Sequence, residues 1–329
     1  MKKMNRVLPR GGALAMACAG VLVLAACGGD GGDGGGEGAE QLTVLHAPIN
    51  YEPLYIAEKE GFFEEAGLDV EIRPGGTAQD NLSQLSGGSA DISTVSWDAA
   101  VTATAEGLPI KLVSGAGLIS DEIDTSGVVV RKDSGITELS QLEGKTIAFN
   151  SLGSGGNVPV LQALSDAGVN LDGVEYVALP YASMRTALTN DQVDAIFPSD
   201  SFYNQVTSDE DNLVIANPSR EYRGGLGITL WAGTGPWLEQ NGETAEKFNE
   251  AMEKAVDFYN DEANVDAVYE VRSEVTGSPI DEVKSPLVEQ RLAIDPEVSQ
   301  NTTDALEEFG MVENPKSVDE ILWEGAPRT

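Results

Sequence analysis

Between Leu42 and Gly107 the chain changes character in a fixed rhythm, a short apolar or alternating run followed by an amphipathic one, three times over. Residues 42–45 predict a strand, residues 47–53 a loop, and residues 54–60 a short helix that Gly61 stops. Residues 69–73 alternate in side-chain character, as a second strand does. Gly75, Gly76 and Thr77 then turn the chain into a helix carrying Leu82 and Leu85. Residues 91–95 predict a third strand, and Ser96-Trp97-Asp98 opens a third helix. Strands separated by helices require crossovers that cover both faces of a sheet, so an α/β fold on a parallel sheet is expected. Ligands of such sheets sit beyond the carboxyl ends of the strands, where loops meet helix N-termini.

The rhythm then starts afresh. Strands are expected at 109–113, 127–131, 146–150, 174–177, 195–197 and 213–216, with helices after 157, from Tyr181 and from Asp200. Residues 227–232 predict a strand that returns to the first series. Beyond it Phe248, Met252, Ala255, Val256 and Tyr259 recur at helical spacing, which marks an amphipathic helix whose apolar stripe is core. Two βα series with one crossing and one return imply two lobes. Lobe I is assigned residues 41–126 and 229–329, and lobe II residues 127–228.

The first forty residues are different. Lys2, Lys3, Arg6 and Arg10 precede a run of small apolar residues, Ala13 to Ala26, too short for an ordinary membrane span. The run reads as an export signal over residues 1–26. Its end, Leu24-Ala25-Ala26-Cys27, resembles a bacterial lipobox, which implies that Cys27 becomes the lipidated first residue of the mature protein. Residues 27–40 are dominated by Gly, Asp and Glu and cannot pack. Such a tether reaches at most about 45 Å when drawn out. The expected location is the outer face of the cytoplasmic membrane.

The 329 residues carry 54 acids against 20 bases, a net charge of −34. That field repels nucleic acid, whose binding depends on neutralising phosphates, and polybasic membrane contact is equally disfavoured. The two cysteines, Cys18 and Cys27, lie outside the globular part, and His46 is the one histidine, so His/Cys metal clusters are excluded by count. No Gly-x-Ser-x-Gly elbow, P-loop or HExxH motif is present, and no catalytic residue or cofactor is assigned.

Pro48, Tyr55-Ile56-Ala57, Gly61-Phe62-Phe63, Gly67-Leu68-Asp69-Val70 and Gly75-Gly76 form a recognisable pattern. So do Leu85 with Gly87-Gly88-Ser89-Ala90-Asp91-Ile92, Gly107-Leu108-Pro109, and Leu142-Glu143-Gly144-Lys145-Thr146-Ile147-Ala148. With these residues the chain resembles the solute-binding components of bacterial ABC importers, in the nitrate/sulfonate/taurine class that also contains binders of thiamine-pyrimidine precursors. The resemblance implies a type II periplasmic-binding-protein fold, two lobes closing on a small solute by a hinge, and delivery to a permease and its ATPase. A monomer is expected. A solute sensor is the alternative role, and an enzyme on the same fold a second one.

Binding candidates come from loops at strand carboxyl ends. In lobe I they are Asn50, Tyr51, Gly76, Thr77, Ser96 and Trp97, with Asp98 beside them. In lobe II they are Asn150, Ser151, Ser154, Gly155, Gly156, Asn157, Tyr181, Ser199 and Asp200. Backbone N–H groups around residues 153–157 would cradle an anion or a carbonyl oxygen. Tyr51, Trp97, Tyr181 and Phe197 would stack on a flat heterocycle. None of these loops contains Lys or Arg, so sulfonate, taurine, nitrate and pyrimidine-like solutes all remain open.

Overall fold

The computed structural model describes residues 39–329 apart from 77, 151, 153, 154 and 285, and apart from the side chains of 78, 155, 200 and 201. The export signal, Cys27 and nearly all of the tether, together with Thr77, Ser151 and Ser154, lie outside the described residues.

The body is built on two five-stranded sheets. Strands β1 (Glu40–His46), β2 (Leu68–Pro74), β3 (Ile92–Val95) and β4 (Ile110–Gly115) belong to the first, and β5 (Val128–Arg131), β6 (Thr146–Phe149), β7 (Glu175–Ala178), β8 (Ala195–Ile196) and β9 (Asn212–Ala216) make the second. Strand β10 (Leu230–Thr234) returns to the first sheet. The orders are β2-β1-β3-β10-β4 and β7-β6-β8-β5-β9. In each sheet one strand runs against its neighbours: β10 is antiparallel to β3 and β4, and β5 to β8 and β9. The expected all-parallel sheet is thus corrected to a mixed one. The antiparallel strand in each is the one entered from the other lobe, and its direction follows from the side on which the crossing arrives.

The two sheets also share a local device. Asp91 precedes β3 and accepts a hydrogen bond from Thr43 N at 2.8 Å, while Asp194 precedes β8 and accepts one from Thr146 N at 2.9 Å. Each carboxylate satisfies a backbone donor at the start of the neighbouring strand and so fixes the register.

Helices cover the sheets as the pattern implied. In lobe I, α1 (Glu52–Lys59) and α2 (Phe62–Glu65) are separated by Gly61, whose φ of +79° suits glycine. They are followed by α3 (Ala78–Ser86) and α4 (Trp97–Ala105). Ser96 caps α4 by accepting from Ala99 N at 3.3 Å. In lobe II, α5 (Val158–Asp166), α6 (Tyr181–Thr189) and α7 (Asp200–Thr207) follow β6, β7 and β8. Helix α8 (Pro218–Arg223) lies in the return crossing. The helix α9 (Gly235–Asn260) then packs its stripe of Phe248, Met252, Ala255, Val256 and Tyr259 into the core of the first lobe. Trp231 meets Phe248 edge-on at 5.5 Å, and Phe63 stacks on the same ring at 6.0 Å. Two later helices matter below: α10 (Val265–Thr276) and α11 (Pro296–Glu308). Asp295 caps the latter, accepting from Glu297 N and Val298 N.

Candidate functional site

The crossings decide where loops gather. The first leaves the carboxyl end of β4 at Gly115 and reaches β5 at Val128; the second leaves the carboxyl end of β9 at Ala216 and reaches β10 at Leu230. The two segments pair with each other: Ile119 N donates to Leu226 O at 2.8 Å, Gly225 N to Ile119 O at 2.9 Å, and Ile228 N to Gly117 O at 2.7 Å. Ser126 Oγ donates to Ser219 Oγ at 2.9 Å, and Arg220 is ion-paired with Asp124. Both crossings therefore join carboxyl edge to carboxyl edge, which turns the loop-bearing edges of the two sheets towards each other.

In lobe I the loops are held by buried polar side chains. Asn81, on α3 and fully buried, accepts from Gly76 N at 2.9 Å and donates to Thr94 O at 3.0 Å. Thr94 Oγ1 in turn accepts from Ala47 N at 2.6 Å. The fit is tight: a Cβ on Gly75 would stand 2.2 Å from Asn81 Oδ1 and 2.9 Å from the carbonyl of His46, so only glycine passes there. Asn50 adopts φ +56° and accepts from Gln290 Nε2 at 3.4 Å. Its side chain occupies the space a Cβ on Gly117 would need, at 2.3 Å. The β1 loop is thus clamped against the crossing itself.

Beneath that loop lies a polar and aromatic layer. His46 is buried; its Nδ1 lies 2.7 Å from Ala47 O and must carry the proton, which leaves Nε2 to accept from the Tyr55 hydroxyl at 2.9 Å. Burial holds its pKa below the ordinary histidine value. Burial, and then the nearby Glu52 carboxylate, pushes the Tyr51 hydroxyl up. Glu52 is ion-paired with Arg272 of α10.

The interlobe face is in contact in this structure. Val158, the first residue of α5, is fully buried in the core cluster of lobe I. The turn formed by Gly155, Gly156 and Asn157 packs against α4, and α11 touches both α5 and α8. Arg223 NH1 of α8 donates to Asp98 Oδ2 of α4 at 3.0 Å. A groove of about 390 Å³ lined by Glu40, Trp237, Asn241 and Thr244 lies elsewhere, at the amino edge of the first sheet.

The candidates divide accordingly. Ser96 and the turn 155–157 are brought together across the lobes, and Asn50 lies beside the crossing. Ser199 caps the start of α7 and bridges to Ser126, also at the crossing. Gly76 stays on its own loop, Asn150 is exposed, and Asp200 opens α7. Trp97 requires a correction. It is 1% exposed and donates Nε1–H to Thr303 Oγ1 of α11 at 3.1 Å, so its ring packs the lobe instead of offering a stacking face. Tyr51, 6% exposed and edge-on to Tyr55, and Phe197, 8% exposed in the core of lobe II, lose that role too. Tyr181 keeps a half-exposed ring, stacked on Phe202 at 5.7 Å. The absence of a cation from the loops is also superseded, because Arg223 arrives beside Asp98 from 125 positions away. Asn81, Gln290 and Arg223 carry no local motif that would single them out.

Two mixed α/β sheets joined by two crossings, with helices on their faces, define a type II periplasmic-binding-protein fold. The comparison with solved structures agrees: the chain is similar to the periplasmic aliphatic sulphonate-binding protein SsuA of Escherichia coli, with a TM-score of 0.71 at 18% identity over 88% of this chain and 94% of that one. The chain belongs to the NMT1/THI5-like family, whose model matches residues 49–263. It is 25% identical over 285 residues to a candidate binding protein, YtlA of Bacillus subtilis, covering 83% of this chain and 82% of that one. It is also similar to the 4-amino-5-hydroxymethyl-2-methylpyrimidine phosphate synthase of Aspergillus parasiticus, 32% identical over 139 residues, 42% of this chain and 38% of that one. Among the described residues no helix is long and apolar enough to cross a membrane.

Proposed function

We propose that the protein is an extracytoplasmic solute-binding lipoprotein. It captures a small polar solute between lobe I (residues 41–126 and 229–329) and lobe II (residues 127–228) and delivers it to the permease of an ABC importer. The single observation carrying this reading is the pair of crossings that turn the carboxyl edges of both sheets to one gap. Ser96, Asn50, the 155–157 turn and Ser199 supply hydroxyl, amide and backbone N–H groups there, and Thr77, Ser151, Ser154, Asn150, Tyr181 and Asp200 complete the proposed set. Helix N-termini and N–H groups of this kind suit a sulfonate, taurine-like or nitrate solute. With Trp97, Tyr51 and Phe197 committed to packing, stacking on a heterocycle rests on Tyr181 alone.

Binding is favoured over catalysis because the one imidazole, His46, is buried with both ring nitrogens engaged. The likeness to the synthase is the observation behind the alternative reading, an enzyme of pyrimidine chemistry. A thermal-shift screen of taurine, ethanesulfonate, nitrate and 4-amino-5-hydroxymethyl-2-methylpyrimidine tests the proposal. A true ligand at a hundred times its Kd stabilises by about 2.7 kcal/mol. A shift that grows with concentration and no consumption of the solute supports a binding protein; turnover of the pyrimidine supports the enzyme. Cys27→Ser should release the protein from membranes, and continued sedimentation with them would remove the lipid anchor from the reading.

A further inference from the structure

The ion pair between Asp98 and Arg223 spans the two lobes. Asp98 stands in the first turn of α4, directly after β3 of the first sheet, and Arg223 ends α8, which packs against α5 of the second lobe. The side chains are 22% and 6% exposed, and Asp98 Oδ1 is a buried oxygen with no hydrogen-bond partner. Helix α8 sits in the return crossing, whose neighbouring residues bond to the outgoing one through Arg220–Asp124 and Ser219–Ser126. Moving the lobes apart about these crossings must separate a carboxylate on one from a guanidinium on the other.

We propose that Asp98 and Arg223 form an interlobe latch that holds the lobes together without solute. The physical basis is the asymmetry of buried ion pairs. A pair compared with an apolar substitute contributes little, but removing one partner strands the other charge in a poorly solvated place. Here the protein has a way out that a rigid core lacks, because opening the lobes returns the stranded group to water. Neutralising either residue therefore shifts the ligand-free protein towards an open arrangement. The helix N-terminus stabilises Asp98 within its own lobe and does not depend on closure, so the interlobe part of its interaction is the pair with Arg223. The latch rests on the fold and is independent of which solute is bound.

The experiment is small-angle X-ray scattering on the ligand-free protein and on Asp98→Asn, Arg223→Gln and the charge-exchanged double variant Asp98→Lys/Arg223→Glu, with far-UV circular dichroism as a check on folding. Asp98→Asn keeps the side-chain shape and an oxygen at the helix terminus. The expected result is a larger radius of gyration for both neutralised variants and a return towards the wild-type value in the exchanged one. Radii unchanged from wild type in folded Asp98→Asn and Arg223→Gln overturn the latch. If Arg223→Gln loses its structure, Asp98→Asn alone decides, by expansion or by the lack of it.

Discussion

Asn81→Ala tests how the binding loops of lobe I are held. The wild-type side chain is fully buried and makes three contacts: it accepts from Gly76 N at 2.9 Å and donates to Thr94 O at 3.0 Å and to Thr94 Oγ1 at 3.3 Å. Truncation leaves the Thr94 carbonyl, on a strand with 1% exposure, without this donor, and a buried polar group deprived of its partner costs about 1–3 kcal/mol. Gly76 N is half-exposed and can turn to water, which limits its share to about 0.5–1 kcal/mol. The total comes to about 2–4 kcal/mol, or a fall in Tm of roughly 5–10 °C for a chain of this size. Urea unfolding followed by circular dichroism measures it, with exposed Ser83→Ala as the control, expected within about 0.5 kcal/mol of wild type. A loss below about 1 kcal/mol for Asn81→Ala would refute the reasoning, since it would mean the loop after β2 is held by something other than this amide.

Three further outcomes follow from the same structure. Trp97→Ala removes a buried indole and its bond to Thr303, and should cost about 3–5 kcal/mol of stability, read by urea unfolding; a change in solute affinity at unaltered stability would restore Trp97 to the binding face. Glu52→Gln leaves Arg272 without its carboxylate and should cost about 3 kcal/mol in the same assay, while an equally stable variant would show the pair to be dispensable. His46 has a folded pKa lowered by burial from its usual 6.5, so the unfolded chain takes up its proton first as the medium acidifies. Stability is then complete above about pH 6.5 and declines as pH falls from there towards the folded pKa, a slope that His46→Gln should flatten between about pH 6.5 and 5. An unaltered slope would assign that decline to other groups.

The rhythm of residues 42–107 was enough to establish strands, helices and their alternation, because burial of a strand or helix face leaves a local period in the sequence. The position of Ser96 at the start of α4 and of Gly61 between α1 and α2 was legible for the same reason: capping and positive φ are demands on one or two neighbouring residues. Strand direction was not legible. Residues 230–234 read as an ordinary strand, and only the side on which the crossing arrives makes β10 antiparallel to β3 and β4. Nor could Trp97 be assigned from its place after β3. Its surroundings are completed by Thr303, 206 positions on, and that contact decided that the ring is packing. The same holds for Asn50 with Gln290 and for Asp98 with Arg223, 240 and 125 positions apart. The sequence by itself determined the class of fold and the loops from which a site could be drawn, since both follow from short-range periodicity and turn chemistry. The tertiary structure decided which side chains in those loops are spent on the core, which are clamped to the crossings and which charge faces which, because such pairings arise between segments whose separation along the chain leaves no local pattern.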